Sequence, residues 1–215
     1  MGKREIYKHS DGKRVPSVTT ILSRFKESGG LLHWANQCGL DGKTLEEARQ
    51  PAASSGTMAH DLVEAHVNDW DMPTLRGPRE VVNNAKAAYE QYLKWADQTK
   101  INIEHTEVSL VSEKHRFGGK CDAVGLVGNQ LVLVDWKTSN SLYADYLLQC
   151  AAYVQLWNEN YPQHEITGGV YICRFAKEHP DFAHHHFGDV TKEIQTFLRM
   201  RELYDMVKAV EKRVK

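Results

Sequence analysis

Two short stretches, Gly118-Gly119-Lys120-Cys121-Asp122 and Leu131-Val132-Leu133-Val134-Asp135-Trp136-Lys137, restrict the fold of this chain more than any others. Leu131 to Val134 is an apolar run with two valines, which reads as a buried strand. The strand delivers Asp135, Trp136 and Lys137 from its hydrophobic end. Side chains alternate along a strand, so Asp135 and Lys137 point one way and Trp136 the other. By the same rule Gly118, Lys120 and Asp122 share a face of the preceding strand, which runs to about Val127. Gly128-Asn129-Gln130 supplies a tight turn and makes the two strands antiparallel neighbours. One patch of one sheet therefore receives two aspartates and a lysine. Adjacent carboxylates repel unless a cation sits between them, and hard oxygen ligands favour Mg²⁺ or Mn²⁺. A lysine beside such an ion can orient a water or stabilise charge building on a phosphate. A bare Asp-x-Lys is more often a solvated ion pair on a surface hairpin; the buried strand that carries this one favours the site.

At 215 residues and 41% hydrophobic content the chain can bury one real core, with or without a helical annex. It has no run of 18 apolar residues, so no membrane span is expected. Met1-Gly2-Lys3-Arg4-Glu5 lacks the apolar stretch of a secretory signal. The four cysteines (Cys38, Cys121, Cys150, Cys173) are scattered, with no C-x-x-C pair. That argues for free thiols in a reducing compartment and against zinc or iron–sulfur ligation. The net charge of −1 hides an uneven distribution. Residues 1–26 hold seven Lys or Arg against two acids, and residues 192–215 hold seven against four. The middle, with its paired aspartates, is acidic. Basic ends around a metal-seeking centre suit a polyanionic substrate, although charged termini also occur without one.

In chain order, residues 6–15 read as a small hairpin on Ser10-Asp11-Gly12. Ser17 caps a short helix over 18–25. A second helix over 31–38 should end at Gly39, and helical turns follow over 44–49, before Pro51. Small polar residues from Ser54 cap a helix running to about Trp70. His60 and Glu64, four apart, share one of its faces, while His66 does not. A lone helical histidine is more often a core or surface residue than a ligand, so His60 gains weight only if this helix packs over the aspartate sheet. Residues 79–98 form a long amphipathic helix with a core stripe of Val82, Ala85, Tyr89, Tyr92 and Trp95. A strand over 103–111, with Glu107 on one face, feeds the hairpin. A helix over 142–160 presents Gln149 and Tyr153 together. Strands over 167–175 and 182–187 and a helix over 190–210 close the chain. His184, His185 and His186 alternate faces and cannot converge on one ion.

With His60 on an early helix, Gly119 to Asp122 as Gly-x-x-Asp, Asp135 to Lys137 as Asp-x-Lys, and Gln149 to Tyr153 as Gln-x-x-x-Tyr, the chain resembles the PD-(D/E)xK nucleases of the RecB-like exonuclease branch. Val15-Pro16-Ser17-Val18-Thr19-Thr20-Ile21-Leu22 also resembles the N-terminal signature of phage-type and mitochondrial members. Each motif is weak alone; their order, over about residues 15 to 175, is what is specific. The resemblance implies an α/β (α+β) fold, a restriction-endonuclease-like core with a central mixed sheet flanked by helices, plus an α-helical N-terminal region. Residues 1–100 would carry the His motif and cover the site, and residues 101–215 would form the core, the whole being one compact unit. Several relatives hold a four-cysteine iron–sulfur cluster, with three cysteines beyond the Gln-x-x-x-Tyr helix. Only Cys173 lies there in this chain, so no cluster is expected and packing alone must hold the two ends.

The resemblance further implies that His60, Asp122, Asp135 and the Trp136 main-chain carbonyl hold a Mg²⁺ or Mn²⁺ ion, with no organic cofactor. Lys137 would position the attacking water, and Gln149 and Tyr153 would line the site. Glu64 and Glu107 are candidates for a second metal. Lys120 is a candidate phosphate contact, as are Lys13, Arg14, Arg24 and Lys26 of the basic arm, with Ser17 and Thr19 hydroxyls beside them. The implied activity is exonucleolytic hydrolysis of DNA in phage-type recombination, repair or replication. The implied setting is the cytoplasm (the host's, for a phage-encoded chain), with a recombination or replication protein as a conceivable partner. A structure-specific endonuclease and a non-catalytic nucleic-acid binder share the same motifs and stay open.

Overall fold

The chain forms a five-stranded sheet with helices on both faces in a computed structural model that describes residues 5–26, 29–44, 54–177 and 179–214. The elements are α1 (Val18–Phe25), α2 (Gly29–Leu40), α3 (Ser55–Val67), α4 (Arg79–Thr99), β1 (Asn102–Ser112), β2 (Phe117–Val127), β3 (Gln130–Thr138), α5 (Ala144–Asn160), β4 (Ile166–Phe175), β5 (Phe182–Phe187) and α6 (Thr191–Arg213). Strands lie in the order β1-β2-β3-β4-β5. Only β3 and β4 are parallel; the other neighbours are antiparallel. The reason is local. A Gly128 turn at φ +60° lets β2 fold straight back into β3, whereas a parallel partner needs a crossover, which α5 provides. The mixed sheet with flanking helices is the architecture expected from the sequence.

The alternation of β3 divides the interior in two. Leu133 packs with α1, α5 and α6 against Val18, Ile21, Cys150, Tyr153 and Phe197. Val132, Val134 and Trp136 pack on the other face with α3 and α4, against Met58, Val63, Tyr92 and Trp95. Both cores mix residues from before and after position 100. Burial of each large apolar side chain contributes about 1.5–3 kcal/mol, so the N-terminal helices are bonded to the sheet by the same force that forms it.

Some element ends differ from the sequence reading. α2 runs through Gly39 to Leu40, and the chain turns instead at Gly42, where φ is +71°. A glycine inside a helix costs only about 1 kcal/mol, while a left-handed turn strongly favours one. α3 stops at Val67 because the Asn68 amide donates to the Glu64 carbonyl (2.8 Å) and Asp69 turns left-handed at φ +53°. The helical turns expected over 44–49 fall outside the described residues apart from Thr44. Among the described residues, no helix is long and apolar enough to cross a membrane.

Candidate active site

The two aspartates sit at a fork in the sheet. Pairing between β2 and β3 runs from Val127–Gln130 to Ala123–Val134, and the next residue on each strand is Asp122 or Asp135. Beyond the fork the Trp136 N–H donates to Asp122 Oδ2 (3.0 Å), so a side chain replaces the missing strand neighbour. On the other side of β2, Glu107 takes a left-handed φ of +54° between the paired positions Thr106–Ala123 and Val108–Cys121. Such a conformation costs a non-glycine residue about 1–2 kcal/mol, and here it lies opposite Asp122.

Asp135 is only 1% exposed. Its Oδ2 lies 2.6 Å from Lys137 Nζ, the same-face pair that strand alternation demands. Burial lifts the carboxyl to about 6 against the pull of Lys137, with the Asp122 charge adding to the rise. Burial alone would lower the Lys137 pKa, but Asp135 outweighs it and keeps the ammonium charged. The Cys150 thiol approaches the same carboxylate and favours its charged form, yet without hydrogen-bond geometry. Asp135 Oδ1 is thus buried with no hydrogen-bond donor among the described residues.

Helix α5 supplies the wall on this face. Gln149 Nε2 donates to the Tyr153 hydroxyl (2.7 Å), joining the two residues of the helical pair. The Tyr153 ring lies so close to Gly119 that a Cβ there would meet Cε1 at 2.6 Å and Val18 Cγ2 at 3.0 Å. Glycine at 119 is therefore a packing requirement that ties β2, α1 and α5 together just before Asp122. Lys137 Nζ stands 5.4 Å from the centre of the Tyr146 ring, a cation–π contact.

Helix α3 approaches β3 from the opposite face. Its start is clamped: a Cβ on Gly56 would meet Ala176 O at 2.6 Å and Thr138 Cγ2 at 2.8 Å, and Ser55 Oγ donates to Lys177 O at 2.9 Å. This docking sets the His60 ring edge-on to Trp136, 6.1 Å between centroids. Ligand atoms of His60, Asp61 and Glu64 lie within 4.8 Å of one another, and among the described residues this is the group that could hold an ion at such spacing. The structure does not bring His60, Asp122 and Asp135 together that closely. His60 belongs to the Trp136 face and Asp135 to the α5 face, and Asp122 bridges to the backbone between them.

The sequence matches the model of one family over residues 17–213, nearly its whole length. The chain belongs to the PD-(D/E)XK nuclease superfamily. No curated relative matches it in sequence. Among solved structures it is similar to a candidate exonuclease from Eubacterium rectale, 14% identical over 77% of this chain and 68% of that one, with a TM-score of 0.47. It is also similar to an alkaline exonuclease, LHK-Exo, from Laribacter hongkongensis, 16% identical over 77% and 89%, with a TM-score of 0.31. Likenesses this distant add nothing to the family assignment, which rests on the sequence match.

Members of the superfamily use divalent metals, and the fork suits one. A donorless buried oxygen on Asp135 beside a second carboxylate is an arrangement that a hard cation relieves. Other expected residues find different partners. Glu107 and Lys120 form an exposed ion pair with each other. Lys13 pairs with Asp11 (3.9 Å), Lys26 with Asp145 (3.4 Å) and Arg24 with Glu211. Ser17 Oγ accepts from the Thr20 N–H (3.1 Å) as a helix cap and meets Thr19 Oγ1 at 3.0 Å. Arg14 lines an open cleft with Glu5, Tyr7, Ser17 and Thr20. The sequence reading missed Asp61, Tyr146 and Cys150. Tyr146 precedes Gln149 by three and Tyr153 by seven, a helical spacing that could have found it. Asp61 gave no such signal.

Proposed function

We propose that this chain is a metal-dependent deoxyribonuclease of the RecB-like type, hydrolysing phosphodiester bonds at free or single-stranded DNA ends. One observation carries this reading: a fully buried Asp135 with a donorless oxygen, ion-paired to Lys137 and set beside Asp122 at the fork of the sheet. Asp122, Asp135 and the Trp136 carbonyl would hold Mg²⁺ or Mn²⁺ at the fork; His60, which lies on the Trp136 side with Glu64 and Asp61 in reach, would join that ion only if α3 moves toward the fork when metal binds. A bound ion supplies neutralisation of charge on the non-bridging phosphate oxygens and a more acidic water.

The protein's own groups do the rest. Asp135 fixes Lys137 Nζ by direct contact, and the Tyr146 ring limits where the ammonium can move. The charged ammonium orients the water for attack in line with the departing 3′-oxygen; a bond from water oxygen to phosphorus forms as the bond to O3′ breaks, the water's proton passing to solvent and O3′ taking one up from solvent. Lys137 also stabilises charge on the phosphate as this happens. Tyr153, held by Gln149, closes the α5 side and keeps solvent from the Asp135–Lys137 pair. The segment leading into α1 docks on β2, with Gly118 N donating to Pro16 O (3.0 Å) four residues before Asp122. With α1 and α5 packed on β2 just before Asp122, a site covered by helices suits a threaded single strand or a free end, which supports reading an exonuclease acting in DNA recombination, repair or replication.

The test uses end-labelled linear and circular single-stranded DNA with Mg²⁺, Mn²⁺ or EDTA. Degradation of linear DNA with either ion, an intact circle and no activity in EDTA are expected. A linearised circle would establish an endonuclease instead, and intact DNA under every metal condition would establish a non-catalytic binder.

A further inference from the structure

We propose that Tyr143 is a stacking platform for one unpaired nucleobase of the strand whose phosphate is cleaved at Lys137, a role that rests on the nuclease reading above. Tyr143 is 52% exposed although it sits at the edge of the catalytic wall. Its ring meets Tyr146 edge to face, 5.4 Å between centroids at 87°. The Tyr146 ring in turn lies 5.4 Å from Lys137 Nζ. Two consecutive steps of that length connect the catalytic ammonium to an outward-facing aromatic, a span that one or two nucleotides of an extended strand can bridge.

The backbone carrying Tyr143 is fixed rather than loose. Ser139 N donates to Phe175 O (3.0 Å), and Arg174 Nη1 donates to Ser139 O (3.0 Å). Lys177 N donates to Asn140 Oδ1 (3.0 Å), and Ser139 Oγ donates to Ser141 O (2.7 Å). Tyr146 N then donates to Tyr143 O (3.0 Å) as α5 begins. A large ring held half in solvent on a backbone tied down at this many points is pre-organised, so little entropy is lost when a base covers it. Lys26, 65% exposed, pairs at 3.4 Å with Asp145, the residue two positions after Tyr143, so the charge beside the platform is balanced and the stacking ring supplies the contact. Tyr161, another exposed aromatic of this helix, packs on Trp157 at its opposite end, away from Lys137. Every base has a π-face, so such a platform binds any sequence, as an enzyme that digests from an end must.

The experiment compares wild type with Tyr143→Ala, Tyr143→Leu and Tyr143→Phe on single-stranded oligonucleotides, intact or with one abasic site moved along the strand. Base–aromatic stacking of ordinary strength corresponds to a KM increase of roughly 5- to 100-fold. That increase is expected for Ala and for Leu, which keeps bulk without a π-face, while Phe keeps wild-type KM and kcat changes less than KM. At one abasic position wild type should lose as much as Tyr143→Ala, and the combination should lose no more. Wild-type KM in both Ala and Leu, or equal loss in Phe and Ala, would overturn the proposal. Quenching of 2-aminopurine oligonucleotides in EDTA reads the same contact without cleavage. An inactive wild type that still shows Tyr143-dependent quenching would defeat the nuclease reading alone, and active enzyme without quenching would defeat the platform alone.

Discussion

The Asp135–Lys137 pair shows what one buried carboxylate does to a site. Asp135→Asn or Lys137→Ala is expected to lower cleavage by at least about 10²–10³-fold while leaving far-ultraviolet circular dichroism unchanged; near-wild-type rates in both would remove the catalytic assignment. The pair also sets a pH dependence. Its carboxyl is raised from an ordinary value near 4 to about 6, chiefly by burial. A raised carboxyl favours the protonated folded state, so its ionisation weakens the metal-free fold as pH climbs from about 4 to about 6. In EDTA, wild-type Tm should carry that falling component and Asp135→Asn should lack it; identical pH profiles would show that Asp135 does not titrate in this window. Lys137→Ala leaves the carboxylate buried without its cation, so its Tm deficit should be largest at neutral pH and shrink in acid. The period of two along β3 made Asp135, Lys137 and the opposite-facing Trp136 legible in the sequence. It could not show that the Asp122 side chain would turn into the gap between strands to meet the Trp136 N–H, because a gap between strands leaves no periodic trace.

Among the elements, α3 acts as a lever whose fulcrum is Gly56. Its Cβ-free surface rests on the Ala176 carbonyl and on Thr138, the residue just after Lys137, and the helix carries His60 across Trp136 four residues later. Gly56→Ala sets a methyl against a backbone oxygen at 2.6 Å, which cannot rotate away, so the helix must shift. If His60 is a ligand, Mn²⁺ affinity measured by calorimetry should fall about 10-fold, as when a supporting residue of a metal site is lost. Unchanged affinity in a folded variant would mean that His60 is a packing residue. Gly119→Ala tests the other wall. Overpacking against Tyr153 should cost about 1–3 kcal/mol in urea unfolding, and a variant as stable as wild type would show that Tyr153 can retreat. The helix caps at Ser17 and Ser54 were legible because capping is local chemistry. The end of α2 was not, since Gly39 and Gly42 compete and the backbone angle, invisible in sequence, decides between them.

Over the whole molecule, charge is where the structure changes the expectation most. The sequence gives residues 1–26 a surplus of five positive charges, which suggests an arm that grips a strand at many points. In the fold most of the candidate cations are already engaged. Arg24 joins α1 to α6 through Glu211, Lys26 meets Asp145, and Lys13 meets Asp11, which Arg116 also holds at 2.8 Å. Arg14 has no acidic partner among the described residues, and it faces the cleft that opens beside Ser17 and Thr20. Each phosphate neutralised on a single strand contributes about 0.7 to the slope of log affinity against log salt. Four independent contacts would therefore lose two slope units or more on removal, whereas one free contact would lose about 0.7. Arg14→Ala is expected to flatten the slope by that single increment and to weaken binding similarly for all sequences. Arg24→Ala should leave the slope nearly unchanged and lower Tm slightly, because its loss loosens α1 from α6. Fluorescence anisotropy of a labelled oligonucleotide across a salt series, in EDTA to prevent cleavage, measures both. Equal flattening by the two substitutions would mean that Arg24 exchanges Glu211 for phosphate on binding. No flattening by either would place the strand away from the arm, on Lys120 and the basic residues of α6.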